Sequence, residues 1–581
     1  MSRRTWLYAA LAVLPLAGCT SSPAPSTSSS SPPSTIAARP ALKLVAFDSC
    51  AQLEKELRAA AKKYGREPVA IDDMRAMPDQ ARGGVPAAKT YSGTNVHEAG
   101  ADEPDIVKTD GRRIVTVTGG VLKVVDAAGR TQTGRLDLGI ESFGEPKVLL
   151  SGDHALVLVD GGPSYLKDSA RLMRPDSGRS EVLLIDLTGT PRLLSRYRGD
   201  GSLVDARQTG SVARVVLSST PQIDSWVPAW EITTGSDRAT GKLDCAQVSK
   251  PETFTGASML RVLTFDLAAT ALSDGSPVAL VADGDAVYAT ASSLYIANNE
   301  SPAFRRMVSS ARDTTPKRDT EIYRFTLPPA GKPVYVAAGK VPGTLLNQYS
   351  MSEWDGHLRV ATTDPATDSS AVRVLKESDG KLAEVGSVSG LGKGEQIYSV
   401  RFTGARGYVV TFRQTDPLYS LDLADPARPR VTGELKINGY SAHLQPVGEN
   451  RLIGIGQEAT AEGRSLGTQI SLFDVSDPAA PRRLDQHVVP GSMSEAEIDP
   501  HAVLWWEATS LLVVPVSDAR SDGPLALRVT GDQLRSPDRL TMAGPVRRSL
   551  VIGDVLWSVS DSGLLASNAS TLDRLGWVAL K

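Results

Sequence analysis

Two stretches of this chain gather residue types that could do chemistry. TNVHEAGADEPDIVKTDG, residues 94–111, carries His97, Glu98, Asp102, Glu103, Asp105 and Asp110. GSMSEAEIDPHAVLWW, residues 491–506, carries Glu495, Glu497, Asp499 and His501. In the first, Asp102, Glu103 and Asp105 are candidate ligands for a hard cation such as Ca²⁺, which takes oxygen donors. The spacing is not that of an EF-hand loop, and Asp110 before Gly111 reads as a turn. The other reading is structural: Asn95, Asp102 and Asp105 tie an extended segment to backbone where the chain enters a fold. In the second stretch, His501 with an orienting carboxylate has the form of a general base. The alternative there is a loop feeding a strand, with its acids solvated. A third group, Trp226 and Trp230 in SWVPAWEI, could stack on a sugar or peptide. Trp505 and Trp506 read instead as packing.

Other chemistries find little support. The six histidines include no pair at HxH or HxxxH spacing. No GxSxG motif sits between a strand and a helix, so no nucleophile is marked. With 63 basic against 66 acidic residues, the chain has no basic field for nucleic acid. No catalytic residue and no cofactor other than the candidate Ca²⁺ is assigned.

The elements that must position these residues are strands. Only 48–65 reads as a helix: Asp48 or Ser49 can cap it, Leu53, Leu57, Ala60 and Tyr64 share a face, and Gly65 can end it. After Tyr91, short β-branched runs alternate with Gly, Asp and Asn turns, an all-β pattern. The runs repeat. DLADPARPR from Asp422 and DVSDPAAPR from Asp474 share one motif, and weaker copies start at Asp186 and Asp266. Proline cannot donate to a sheet ladder, so this segment fits the turn before an edge strand. Hairpin turns at 110–111, 152–153, 355–356, 404–407, 449–450 and 553–554 complete each unit. Four antiparallel strands per unit make a propeller blade. Units begin near Asp105, Lys147, Val204, Ala286, Asn347, Gln396, Ser441, His501 and Val546. The expectation is one β-propeller of about eight or nine blades over 94–581, preceded by a helix-bearing segment over 41–93. Loops interrupt the units at 161–180, 220–257 and 299–318.

The N-terminus reads separately. MSRR, a short apolar run and Leu16-Ala17-Gly18-Cys19 resemble a bacterial lipobox. That resemblance implies a signal peptide over 1–18, cleavage before Cys19, and lipidation of Cys19 with palmitate. Cleavage removes Arg3 and Arg4 and moves the net charge from −3 to −5. Residues 19–40 are nearly all Ser, Thr, Pro and Ala, too polar to fold, and read as a disordered tether. With Cys19 lipidated, two cysteines remain. In a secreted protein, Cys50 and Cys245 form either a disulfide or two free buried thiols. The bond would close a loop worth at most about 5 kcal/mol.

TNVHEAGADEPDIVKTDG, VRFTGARGYVVTFRQTDPLYSLDLADPARPRVTGELKINGYSAHL, ISLFDVSDPAAPRRLDQHVV and RRSLVIGDVLWSVSDSGL together resemble the secreted bacterial β-propeller-domain proteins. The resemblance covers residues 45–580 and implies an extracytoplasmic protein whose C-terminal part is a propeller. It also places a cysteine near the start of the helix, as Cys50 is here. The chain departs at Asp499-Pro500-His501, where the family has Asp and His adjacent. The family carries no settled activity, so function must come from sites. The reading that follows is a membrane-anchored, extracytoplasmic binding or scaffolding module for a protein, peptide or glycan. The competing reading is a hydrolase or oxidoreductase with its site at the channel mouth.

Overall fold

The computed structural model describes residues 44–64, 90–140, 144–161, 178–219, 226–251, 258–298, 319–412, 415–460, 464–518, 522–535 and 539–581. Cys19, the signal-like run and the tether lie outside these residues, as do the whole of the loop at 299–318 and parts of those at 161–180 and 220–257. Among the described residues, nine antiparallel units of four strands follow one another. They span residues 107–137, 147–200, 202–281, 286–342, 351–391, 396–438, 440–490, 504–535 and 548–579, and are numbered here as blades 1 to 9. All nine expected starting points fall at or near the innermost strands.

Each blade buries both faces, because each meets a neighbour on either side. Leu149 and Leu184 of blade 2 pack on Val215 and Leu263 of blade 3. Ala361 and Val372 of blade 5 pack on Phe402 and Val409 of blade 6. The series closes on itself: Ile114 and Val125 of blade 1 share a core with Trp557 and Leu564 of blade 9. The strand interiors are therefore near-continuous apolar runs rather than alternating ones. RIVTVT in blade 1 is buried at five of its six positions.

The repeated motif has a local cause. Asp422 ends the third strand of blade 6, accepts the Ala424 N–H at 3.0 Å, and pairs across the turn with Arg430 at 2.7 Å. Asp425 accepts the Ala427 N–H at 3.0 Å. Blade 7 repeats this with Asp474, Ser476 and Arg482, and blade 2 with Asp186, Thr188 and Arg192. These are Asx turns, in which the side chain replaces a backbone acceptor. The Thr188 N–H and hydroxyl hold the Asp186 carboxyl down at about 2.

The proline turns also lock neighbours together. The outer strand of blade 6 bulges and then presents Gly433 to the turn of blade 7, so close that a Cβ there would lie 2.3 Å from the Pro478 carbonyl oxygen. Gly386 meets Pro426 at 2.3 Å, and Gly134 meets Pro191 at 2.7 Å, in the same relation of one blade to the next.

The N-terminal segment docks on blade 3. The helix is Cys50–Tyr64, capped by Ser49, whose hydroxyl accepts the Gln52 N–H at 3.2 Å while the Gln52 side chain accepts the Asp48 N–H at 2.8 Å. Leu53 and Leu57 are buried against Trp226, Leu243 and Val248. Leu44–Ala46 pairs with Val248–Pro251, which lies parallel to Val278–Val281 of blade 3. Cys50 and Cys245 are disulfide-bonded with their Cα atoms 5.3 Å apart, which decides between the two cysteine readings.

The interruption at 220–257 differs from the expected loop. Ala229–Thr234 and Asp237–Lys242 form a hairpin that extends the outer edge of blade 2. Its indole supplies the reason: Trp230 sits over Gly241, where a Cβ would lie 2.4 Å away, and packs on the core shared by blades 2 and 3.

Candidate functional site

Ahead of blade 1 the chain crosses from blade to blade. Residues 90–105, the plug, bond one blade after another. Ser92 N–H donates to Val551 O at 2.8 Å on blade 9. The Asn95 amide donates to Pro500 O at 3.0 Å, ahead of blade 8. His97 Nε2 lies 2.9 Å from Met351 O on blade 5. Tyr288 of blade 4 donates to Glu98 at 2.8 Å. Asp102 exchanges backbone bonds with Gln208 of blade 3, both at 2.8 Å, and Asp105 does so with Val148 of blade 2. An extended segment of this kind has no sheet partner of its own, so its amides and carbonyls must find partners one at a time.

The two acidic stretches, far apart in sequence, meet here. Glu103 is buried, and one of its oxygens accepts the His97 N–H at 3.1 Å while the other lies 3.2 Å from His501 Nε2 and 3.4 Å from the Gln348 amide. Arg207, itself fully buried, stands 3.8 Å from Glu103 and donates to Asp205 at 2.6 Å. His501 Nδ1 is 2.8 Å from Asp499, so the ring bridges two carboxylates. Asp499 also binds Arg548, whose fork reaches Asp105 at 2.8 Å and Glu495 at 3.0 Å. Asp102 stands apart, with Lys108 at 2.7 Å.

The electrostatics follow from this pairing. Burial disfavours a charged imidazole, but the Asp499 charge and the bonds to Asp499 and Glu103 outweigh it and push His501 up to about 10. Burial likewise opposes ionisation of Asp499, yet Arg548 and His501 hold its carboxyl well below the usual range. Arg548 is raised by Asp105, Asp499 and Glu495 against the same burial. Glu495 and Glu98 move up, chiefly through burial. His501 is thus an imidazolium held between carboxylates, an ion-pair member rather than a base poised near neutrality.

A metal does not fit this arrangement. Asp105, Asp499 and His501 each bring one ligand atom within 4.8 Å of the others. Both ring nitrogens of His501 already face carboxylates, Nδ1 toward Asp499 and Nε2 toward Glu103. Arg548 also already lies between Asp105 and Asp499. The acids proposed from sequence, Asp102, Glu103 and Asp105, have separate cations rather than a common centre.

Trp226 is buried under the helix, with the Arg58 guanidinium 4.7 Å from its ring centre. Trp230 is partly buried in the blade 2 hairpin. Trp505 and Trp506 pack toward blades 7 and 9 respectively. Sequence reasoning did not single out Arg207, Tyr288, Gln348 or Arg548. Only Arg548 left a signal, as one of two arginines opening an otherwise apolar strand.

The family model described as the Beta propeller domain matches residues 91–572, which spans the plug and nearly all nine blades. The chain belongs to this family. Two curated proteins similar to this chain are uncharacterised. One, from Methanocaldococcus jannaschii, is 43% identical over 253 residues, 42% of this chain and 38% of its own. The other, from Archaeoglobus fulgidus, is 35% identical over 241 residues, 42% of this chain and 36% of its own. The chain spans well under half the length of these relatives. Among solved structures, a eukaryotic initiation factor aligns over 80% of this chain and 91% of its own at 11% identity, with a TM-score of 0.38. A Lactobacillus plantarum protein aligns over 55% and 92% at 14% identity, with a TM-score of 0.33.

Proposed function

We propose that this propeller is a binding or scaffolding module, exported from the cytoplasm, lipidated at Cys19 and held at the membrane surface by the tether over 19–40. The partner is a protein, peptide or glycan met by loops at one face of the ring. The observation that carries the binding reading is the plug. Residues 90–105 bond to one blade after another, and Glu103, Asp105, Asp499 and His501 are spent on one another and on Arg548 rather than left for a substrate. A disulfide joining Cys50 and Cys245 supports an oxidising compartment. More than one acyl chain on Cys19 would give stable anchoring where a single chain would not.

Fractionation tests the anchor. Wild-type chain is expected in the membrane fraction and Cys19→Ala in the soluble one, and retention of the variant in the membrane refutes the lipid reading. Cross-linking of the whole protein in intact cells, followed by its recovery, tests the binding reading. A reproducible cross-linked partner is expected. Its absence, combined with turnover of any substrate abolished by His501→Gln, refutes it.

A further inference from the structure

A cavity of about 350 Å³ lies between blades 1 and 9, beside the ion pairs that hold the plug. It sits by the hairpin joining the second and third strands in each of these two blades. Volumes of this size suit small ligands. Its walls divide by chemistry. Val117, Ile140 and Val559 supply apolar surface, whereas Glu145, Asp561 and Arg547 supply charge. The Gly119-Gly120 turn of blade 1 adds no side chain to the lining, and a Cβ at Gly119 would meet nothing within 4 Å.

The sign of the charge decides the ligand. Arg547 is the one cation in the lining, and its fork is already committed. Its two terminal nitrogens lie 2.6 Å from the two oxygens of Glu145, and its Nε lies 3.0 Å from Glu495. Asp561 is 3.9 Å from Arg547 and its side chain is 62% exposed; that of Glu145 is 55% exposed. Lys123 is within Coulombic reach of Asp561 but is buried and does not line the cavity. What the cavity offers a ligand is therefore carboxylate oxygen beside apolar wall. An anion would meet two carboxylates, and a neutral molecule would leave Asp561 with only Arg547, 3.9 Å away.

We propose that this cavity binds a small organic cation, with an ammonium group received by Asp561, the Arg547-paired Glu145 beside it, and an apolar stem laid against Val117, Ile140 and Val559. The group is either a free alkylamine or the side chain of a lysine in a peptide. This site deepens the binding-module reading and does not depend on the lipid anchor.

Calorimetry and ligand-observed NMR on the full chain provide the test. The free-amine probes are hexylammonium and 2-phenylethylammonium, and the side-chain probe is Nα-acetyl-lysine methylamide. Hexanol and hexanoate serve as neutral and anionic controls. At least one cation is expected to bind tenfold or more tightly than either control. Asp561→Asn is expected to weaken it by about tenfold, the scale of a lost charge-assisted bond. That residue is exposed, so the fold should tolerate the change. Thr118→Trp, placed at the hairpin beside the cavity, is expected to abolish binding. Tighter binding of the free amines identifies a small-molecule site, and tighter binding of the lysine derivative a peptide site. Equal binding of hexanol, or cation affinity unchanged in Asp561→Asn, overturns the proposal. So does the absence of binding by every cation. If the cations fail while a partner is still cross-linked in cells, only this site falls and the module reading stands.

Discussion

Replacing Arg548 by Met should loosen the plug more than any other single change among its ion pairs. The Arg548 side chain is 5% exposed and donates to Asp105, Asp499, Glu495 and the Arg547 carbonyl. Methionine is apolar and of similar length, so the change removes charge with little loss of volume. Three carboxylates then lose their common partner. Glu495 and Asp499 are 26% and 23% exposed and can regain some water, but Asp105 is 5% exposed and cannot. Breaking a buried pair from one side costs about 3–5 kcal/mol. The partial exposure of two partners puts the expected loss near the lower end, about 3 kcal/mol, or roughly a hundredfold in the folding equilibrium. The assay is urea unfolding followed by fluorescence. Trp557 reports it well, since it is fully buried in blade 9 on the strand that pairs with that of Arg548. Adding Asp105→Leu to Arg548→Met should restore part of the loss, because the most deeply stranded charge is then gone. A loss under about 1 kcal/mol, or a double variant no more stable than the single one, would refute the claim that this pairing holds the plug.

Other outcomes follow from the same geometry. The His501 pKa is raised from 6.5 to about 10, so its contribution to stability is complete below pH 6.5 and disappears as pH rises through 10. Between pH 7 and pH 10 the wild type should therefore lose more stability than His501→Gln, read by urea midpoints at each pH; parallel curves would contradict this. Cys50→Ser with Cys245→Ser should cost up to about 5 kcal/mol and expose the helix Cys50–Tyr64 to proteases before the propeller itself is cut. Mass spectrometry of unreduced peptides should recover the two cysteines linked. Gly433→Val should destabilise by about 1–3 kcal/mol through overpacking against the blade 7 turn, measured as a lowered unfolding midpoint, whereas the same change at the open Gly144 tests only local effects.

The blades were legible because they repeat. Strand, turn and proline segment recur, and each copy reports on the others, which is why nine starting points could be placed. The motif from Asp422 was visible as a pattern, and the structure adds its cause in the pairing of Asp422 with Arg430. The helix was placed at 48–65 and found at Cys50–Tyr64, the difference being the cap residues. The plug was legible only in part. The backbone duties of Asn95, Asp102 and Asp105 could be argued locally. The link from Glu103 to His501, 398 positions away, could not, because charge partners across a ring leave no periodic trace. The hairpin at 229–242 was missed for the opposite reason. It is an addition to a single blade, so no other unit repeats its pattern.

The disulfide has a mechanical consequence. A pull on the chain ahead of Leu44 first meets the strand Leu44–Ala46, zipped to Val248–Pro251, and then the covalent link from Cys50 to Cys245. Force passes there into blade 3. Everything after Cys50, including the helix and the hydrogen bonds that seat residues 90–105 against the blades, is bypassed by the load. The bond works as a strain relief does on a cable: the chain can be tugged at its leading end without drawing the plug.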